Sequence, residues 1–111
     1  MFKTLVVRGD TGTLAMVLVS VGDKVDLKKL AHALGSKKAD LADPTLAEKT
    51  TGYVVGGISP LGGRKHLLTL IDESIRQHST IYISAGKRGL QLELSPDDLI
   101  RLTKTTVLVL V

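Results

Sequence analysis

The apolar positions along the chain change period several times, and each change predicts an element. Residues 3–8 and 13–20 are β-rich runs joined by Gly9-Asp10-Thr11-Gly12, which predicts a hairpin. Behind Asp26, the residues Leu27, Leu30, Ala31 and Leu34 recur at i, i+3, i+4 and i+7. A helix over 26–34 follows, with Lys28 and Lys29 on its polar side and Gly35 as its stop. A short strand is expected over 39–42. Asp43-Pro44 pairs an N-cap with a proline at the first helical position and opens a short helix over 43–49, with Leu46 and Ala47 turned inward. Further strands are expected at 67–71, 80–84 and 90–94, with a helical turn at 72–78. In the last of these strands Leu90, Leu92 and Leu94 share one face, against Gln91 and Glu93 on the other. Ser95-Pro96-Asp97-Asp98 caps a helix running to Lys104. The closing Val107-Leu108-Val109-Leu110-Val111 reads as a strand buried on both faces. Strands with helices interspersed irregularly predict an α+β fold with a mixed sheet, and 111 residues suit one domain over 1–111.

Composition narrows the picture. A hydrophobic content of 43% excludes a disordered chain. Aromatics make up only 3% (Phe2, Tyr53 and Tyr82), so the core is aliphatic and a platform that stacks a row of bases is disfavoured. The absence of cysteine removes disulfides, thiolate metal sites and a cysteine nucleophile, and fits a reducing compartment. No secretory signal and no run of transmembrane length is visible, so a cytoplasmic location and no membrane partner are expected. A net charge of +4 suits an anionic partner such as RNA, as it does many proteins without one.

The candidate chemistry gathers around Thr51-Gly52-Tyr53-Val54-Val55-Gly56-Gly57-Ile58-Ser59-Pro60-Leu61-Gly62. The Gly-Gly pair after Tyr-Val-Val reads as a strand end opening into a loop of bare N–H groups that can hold an oxyanion or a phosphate, or alternatively as a sharp turn or bulge between strands. It matches neither the dinucleotide nor the P-loop pattern. Lys3-Thr4 puts an ammonium beside a hydroxyl at a strand start, and Ser84-Ala85-Gly86-Lys87-Arg88-Gly89 is a small-residue strand end running into a basic turn. Each is weak alone, an exposed lysine or an ordinary hairpin tip being the plain alternative. Together they suit an anionic or ester-bearing ligand. His32, His66 and His78 lack metal-ligand spacing, so no metal site and no cofactor is expected. Gly63-Arg64-Lys65-His66 reads as a basic turn. No nucleophile–base set is apparent.

The string Gly52-Tyr53-Val54-Val55-Gly56-Gly57-Ile58-Ser59-Pro60-Leu61-Gly62 resembles the glycine-loop signature of the YbaK/EbsC family. So do Lys3-Thr4-Leu5-Val6, the stretch from Asp26-Leu27-Lys28-Lys29 to Ala33-Leu34-Gly35, Ala42-Asp43-Pro44, and Ser84 to Leu90, in the family's order across nearly the whole chain. The resemblance implies a mixed, largely antiparallel curved sheet or partly open barrel flanked by short helices. It implies an aminoacyl-tRNA deacylase related to the editing domain of prolyl-tRNA synthetases, acting in trans on Cys-tRNA(Pro) above all. Lys3 then matches the lysine that positions the aminoacyl-adenosine end. Gly56 and Gly57 match the loop whose backbone faces the ester carbonyl. Thr4 and Ser84 match hydroxyls of the aminoacyl pocket, and Ser59, Gly86 and Lys87 complete the expected substrate contacts. The substrate cysteine's thiol would attack its own ester, so no protein nucleophile is needed. Aminoacyl-tRNA is the implied partner, with prolyl-tRNA synthetase beside it.

Two departures from the family pattern set the expectations. Relatives carry several tens of residues before the lysine, including a pocket wall, so this chain is expected to be N-terminally truncated relative to the family. Gln91 stands where some relatives have an acid, so no charge is carried over to it. The truncation motivates a rival reading: a non-catalytic module that binds the tRNA acceptor end or a partner synthetase. Oligomeric state is not legible.

Overall fold

In the computed structural model, which describes residues 1–53, 56–61 and 67–111, the first apolar runs form the expected hairpin. Strand β1 (Phe2–Gly9) pairs antiparallel with β2 (Leu14–Ser20), from Phe2↔Ser20 to Arg8↔Leu14. Strand β3 (Ala39–Leu41) pairs antiparallel with the far edge of β1. Strands β4 (Leu68–Asp72) and β7 (Thr106–Leu108) add in parallel beyond β2, giving the order β3-β1-β2-β4-β7. A separate antiparallel pair, β5 (Ile81–Ser84) with β6 (Gln91–Leu94), completes a mixed α+β fold whose strand pairs are mostly antiparallel.

Because side chains alternate along a strand, the β1–β2 pair has two faces. On one, Val7, Ala15, Val17 and Val19 pack with Leu30, Leu70 and Leu110. Helix α1 (Leu27–Leu34) covers it. Asp26 caps the helix by accepting from the N–H groups of Lys28 and Lys29 at 2.9 and 3.2 Å, and Gly35 ends it at φ +68°. On the other face, Phe2 and Leu18 pack with Ile71, Ile75, Ile81, Ile83 and Leu99 under the β5–β6 pair and helix α3 (Pro96–Thr103). Beside them Val6 and Met16 meet Ala47 of helix α2 (Pro44–Thr51) and Ile58. A 3-10 turn over Glu73–Gln77 links β4 to β5.

The structure corrects the sequence reading in four places. The closing apolar run is a three-residue edge strand rather than a five-residue strand buried on both faces: Val107 and Leu108 are half-buried, Val109 is exposed, and only Leu110 is fully buried. Backbone bonding explains this, since the Leu110 N–H donates to Asp72 Oδ1 at 2.8 Å and its carbonyl accepts from the Asp26 N–H at 2.7 Å, which takes the chain off the ladder. The leucine alternation of β6 produces burial at one end only: Leu94 is half-buried against the Phe2–Leu18 cluster, whereas Leu92 is exposed although its cross-strand partner Ile83 is buried, because β6 is the outer strand of a two-stranded pair. Leu90 lies in the turn rather than the strand and is exposed as well. Finally, Tyr53 does not end a strand; it follows the cap of α2, which runs two residues further than expected and stops at Gly52 with φ +81°. Val54 and Val55 of the expected strand end, and the basic turn with His66, lie outside the described residues.

Candidate functional site

The glycine stretch and the 85–89 turn, far apart in sequence, meet. Ala85 N–H donates to the Leu90 carbonyl at 3.0 Å and Leu90 N–H to the Lys87 carbonyl at 3.1 Å, which folds the connection of β5 and β6 into a tight loop. Gly86, at φ +101°, directs its N–H to the Gly57 carbonyl at 2.9 Å. Ser84 Oγ donates to the Gly56 carbonyl at 3.5 Å. A Cβ on Gly57 would lie 2.7 Å from the Lys87 carbonyl carbon and 2.9 Å from the Arg88 nitrogen, so only glycine allows this approach of two backbones. Gly56 is exposed at φ +94° with the Arg88 side chain beside it. Lys87 is exposed at the rim.

Tyr53 stands behind both loops. Its hydroxyl donates to the Leu61 carbonyl at 2.7 Å, and its ring edge is 3.2 Å from where a Cβ on Gly86 would sit. Its N–H donates to Thr51 Oγ1, which donates in turn to the Ala47 carbonyl, so the end of α2 fixes the tyrosine. Ser59 is buried, and its hydroxyl accepts from the Leu61 N–H at 3.1 Å, closing the turn.

Next to this junction is a small cavity of about 150 Å³ lined by Thr4, Val6, Ala42, Pro44, Ala47 and Ile58, among others. Thr4 is 8% exposed and its Oγ1 has no hydrogen-bond partner. A buried hydroxyl without a partner costs about 1–3 kcal/mol, and Thr4 meets the cavity with such a group.

Of the residues singled out from sequence, the fold gathers Gly56, Gly57, Ser84, Gly86 and Lys87, with Thr4 in the adjoining cavity and Ser59 within the turn. The strand register starts Lys3 and Thr4 on opposite faces. Lys3 pairs with Val19, on the α1 face of the sheet, while Thr4 pairs with Leu18 on the other. Gln91 is directly opposite Ser84 across the β5–β6 pair, at the edge of the site. Sequence reasoning passed over Tyr53 and the cavity walls Ala42, Pro44 and Ala47. An aromatic in a chain with three, set within the glycine stretch, was the signal for Tyr53. Ala47 was expected to face inward, but nothing in the spacing marked Ala42 or Pro44 as walls. Among the described residues, no three His, Asp or Glu come together as a metal-ligand set, and no helix is long and apolar enough to cross a membrane.

The model of the family described as "Aminoacyl-tRNA editing domain" matches residues 1–102. The chain is 43% identical over 102 residues to an Enterococcus faecalis protein named "Putative Cys-tRNA(Pro)/Cys-tRNA(Cys) deacylase EbsC", covering 92% of this chain and 62% of the relative. It is 32% identical over 98 residues to YwhH of Bacillus subtilis, an uncharacterized protein, covering 87% of this chain and 61% of the relative. The chain thus spans less than two thirds of the length of both. A solved structure described as "a putative trans-editing enzyme for prolyl tRNA synthetase" superposes with a TM-score of 0.88 at 29% identity, over 98% of this chain and 68% of its own.

Proposed function

The chain belongs to the aminoacyl-tRNA editing domain family, and on that premise we propose that it hydrolyses mischarged aminoacyl-tRNA, with Cys-tRNA(Pro) as its foremost substrate. The observation that carries the reading is the unpartnered Thr4 hydroxyl at the wall of a cavity of about 150 Å³ beside Ile58 of the glycine loop. That volume is well below the roughly 300–1,000 Å³ of pockets for drug-sized ligands and suits a short aminoacyl side chain. A thiol or small polar group entering it meets a hydroxyl that lacks a partner.

In this reading the ester lies over exposed Gly56, with its carbonyl toward the glycine-loop backbone and Ser84 at the edge. The substrate thiol attacks its own ester carbon. A sulfur–carbon bond forms, the bond from that carbon to the ribose oxygen breaks, and the thiol proton goes to the ribose oxygen; water then opens the cyclic thioester, its oxygen bonding to the carbonyl carbon as the sulfur–carbon bond breaks and the thiol regains a proton. The protein then contributes orientation and a set of fixed dipoles at the developing oxyanion rather than a nucleophile. Lys87 at the rim supplies positive charge for the acceptor end. Support for Lys3 comes from the resemblance alone, since its stem starts on the opposite face of β1 from Thr4. Its ammonium therefore has to pass the strand's end to reach the ester. A synthetase that presents the tRNA is the second partner, suggested by the description of the superposed structure.

The test is a deacylation time course on Cys-tRNA(Pro), Ala-tRNA(Pro) and Pro-tRNA(Pro), with wild type and Lys3→Ala. Loss of the cysteinyl ester that slows in Lys3→Ala supports the proposal. Folded wild type that leaves all three esters intact overturns it, and tRNA binding under those conditions would favour the rival reading of a non-catalytic module that holds the acceptor end.

A further inference from the structure

We propose that Tyr53 is a positioning residue: it sets the pose of the glycine loop against the 85–89 turn, and through that pose it sets the rate of the chemical step. The inference rests on the deacylase reading above for its kinetic half, and on geometry alone for its structural half.

Three contacts converge on this side chain. The hydroxyl reaches eight residues along the chain to the Leu61 carbonyl at 2.7 Å, so the phenol spans the glycine loop and ties its far end to the end of α2. The ring edge lies 3.2 Å from the position of a Cβ on Gly86, in direct support of the residue whose N–H holds the Gly57 carbonyl. The backbone of Tyr53 is anchored through Thr51 Oγ1 to the Ala47 carbonyl, within one of the core clusters. The loop therefore has a rigid support on its inner side, while Gly56 remains exposed on its outer side.

Tyr53 touches the loop's inner side and not the place assigned to the ester. Its effect on catalysis therefore runs through the loop. Amides that serve a developing oxyanion must be aimed before the reaction, and an error of about 1 Å can cost about 10²-fold in rate. Losing the hydroxyl frees the Leu61 end of the loop. Losing the ring as well removes the support under Gly86. The expected order of rates is wild type, then Tyr53→Phe, then Tyr53→Leu.

The test has two arms on the full chain. In the first, amide hydrogen exchange is measured at Gly86, whose N–H is held by the Gly57 carbonyl, and at Val17 in the core. Tyr53→Phe is expected to speed exchange at Gly86 with no change at Val17, and Tyr53→Leu to speed it further. This arm needs no activity, so it decides the structural half even if wild type proves not to be a deacylase. In the second, steady-state deacylation of Cys-tRNA(Pro) is compared. Tyr53→Phe is expected to lower kcat about tenfold with KM within about twofold, as for a group that acts only in the transition state. Unchanged exchange at Gly86 in Tyr53→Phe overturns the proposal. So does a raised KM with kcat unchanged, which would make Tyr53 a contributor to binding. An equal rise of exchange at Gly86 and Val17 would also overturn it, as a general loss of stability.

Discussion

The two faces of the β1–β2 pair are built from alternate residues of the same strands, yet they differ in kind. On the α1 face Val7, Val17 and Val19 meet Leu30, Leu70 and Leu110, and the helix that covers them is capped at both ends by its own residues. The opposite face is covered by the β5–β6 pair, by helices α2 and α3 and by the glycine loop. It contains the small cavity, the unpartnered Thr4 hydroxyl and the junction of Gly57 with Gly86. The first face has the properties of a structural core and the second those of a site placed on a core. Position 3 or 4 of β1 is enough to change from one to the other, because a one-residue step reverses the side chain.

The largest effect belongs to the α1 face. Leu30→Ala removes a fully buried side chain from a closed apolar cluster. It is expected to cost about 2–5 kcal/mol, read from chemical denaturation. The loop junction should keep its relative exchange pattern in whatever fraction remains folded. A cost under about 1 kcal/mol would show that α1 does not form the closed face described here.

Asp72 comes next, because it ties the end of β4 to the tail that supplies Leu110 to the same face. Burial pushes its pKa up, but hydrogen bonds from Ser74, Leu110 and Val111 outweigh this and hold it below the ordinary 3.8. A carboxyl depressed in the folded state contributes stability that is fully present above its unfolded pKa and is lost as pH falls through the folded value. Asp72→Asn is expected to cost about 1.5–3 kcal/mol at neutral pH, the range for a hydrogen bond to a charged group. The wild-type melting temperature should fall below about pH 4 more steeply than that of Asp72→Asn. Parallel curves for the two proteins would show that Asp72 is not ionised at its contacts.

Gly57→Ala probes the other face. The added methyl would lie 2.7 Å from the Lys87 carbonyl carbon, so one of the two loops must move. Overpacking of this kind typically costs about 1–3 kcal/mol, and here the displacement falls on the proposed oxyanion contact, so deacylation should fall by more than the stability loss explains. An active Gly57→Ala protein would show that the close approach of the two backbones has no bearing on the chemistry.

The sequence shows the covering of the α1 face more plainly than the site. Leu27, Leu30, Ala31 and Leu34 between Asp26 and Gly35 announce a capped amphipathic helix, because helix period and caps are local properties. Even so Leu27, at the first turn of the helix, is exposed. At the site, the glycine loop and the 85–89 turn were legible as unusual strings, but their contact was not. Gly57 and Gly86 are 29 positions apart, and no local pattern encodes a bond across that distance. Resemblance gathered those strings into one site, whereas composition and period did not. The β7 reading failed for a related reason: five apolar residues allow a strand, and what shortens it is the distant carboxylate of Asp72 accepting from the Leu110 N–H.

The smallest expected change is the one that bears most directly on the contrast between the faces. Thr4→Val keeps the shape of the side chain and removes the hydroxyl. On the α1 face every buried β-branched residue of the two strands is already a valine, so valine is the residue a purely structural position would hold. If the Thr4 hydroxyl is without a partner in the free protein, its removal relieves an unmet desolvation cost, and Thr4→Val should be more stable than wild type by about 1 kcal/mol. Ligand-dependent behaviour should move the other way. Deacylation of Cys-tRNA(Pro) should slow, because valine offers the substrate thiol an apolar wall in place of a hydroxyl. A Thr4→Val protein less stable than wild type would mean that the hydroxyl is satisfied within the fold, and this face would then resemble its opposite. A gain in stability joined to slower deacylation of Cys-tRNA(Pro) would identify Thr4 as a position where the chain gives up stability for recognition.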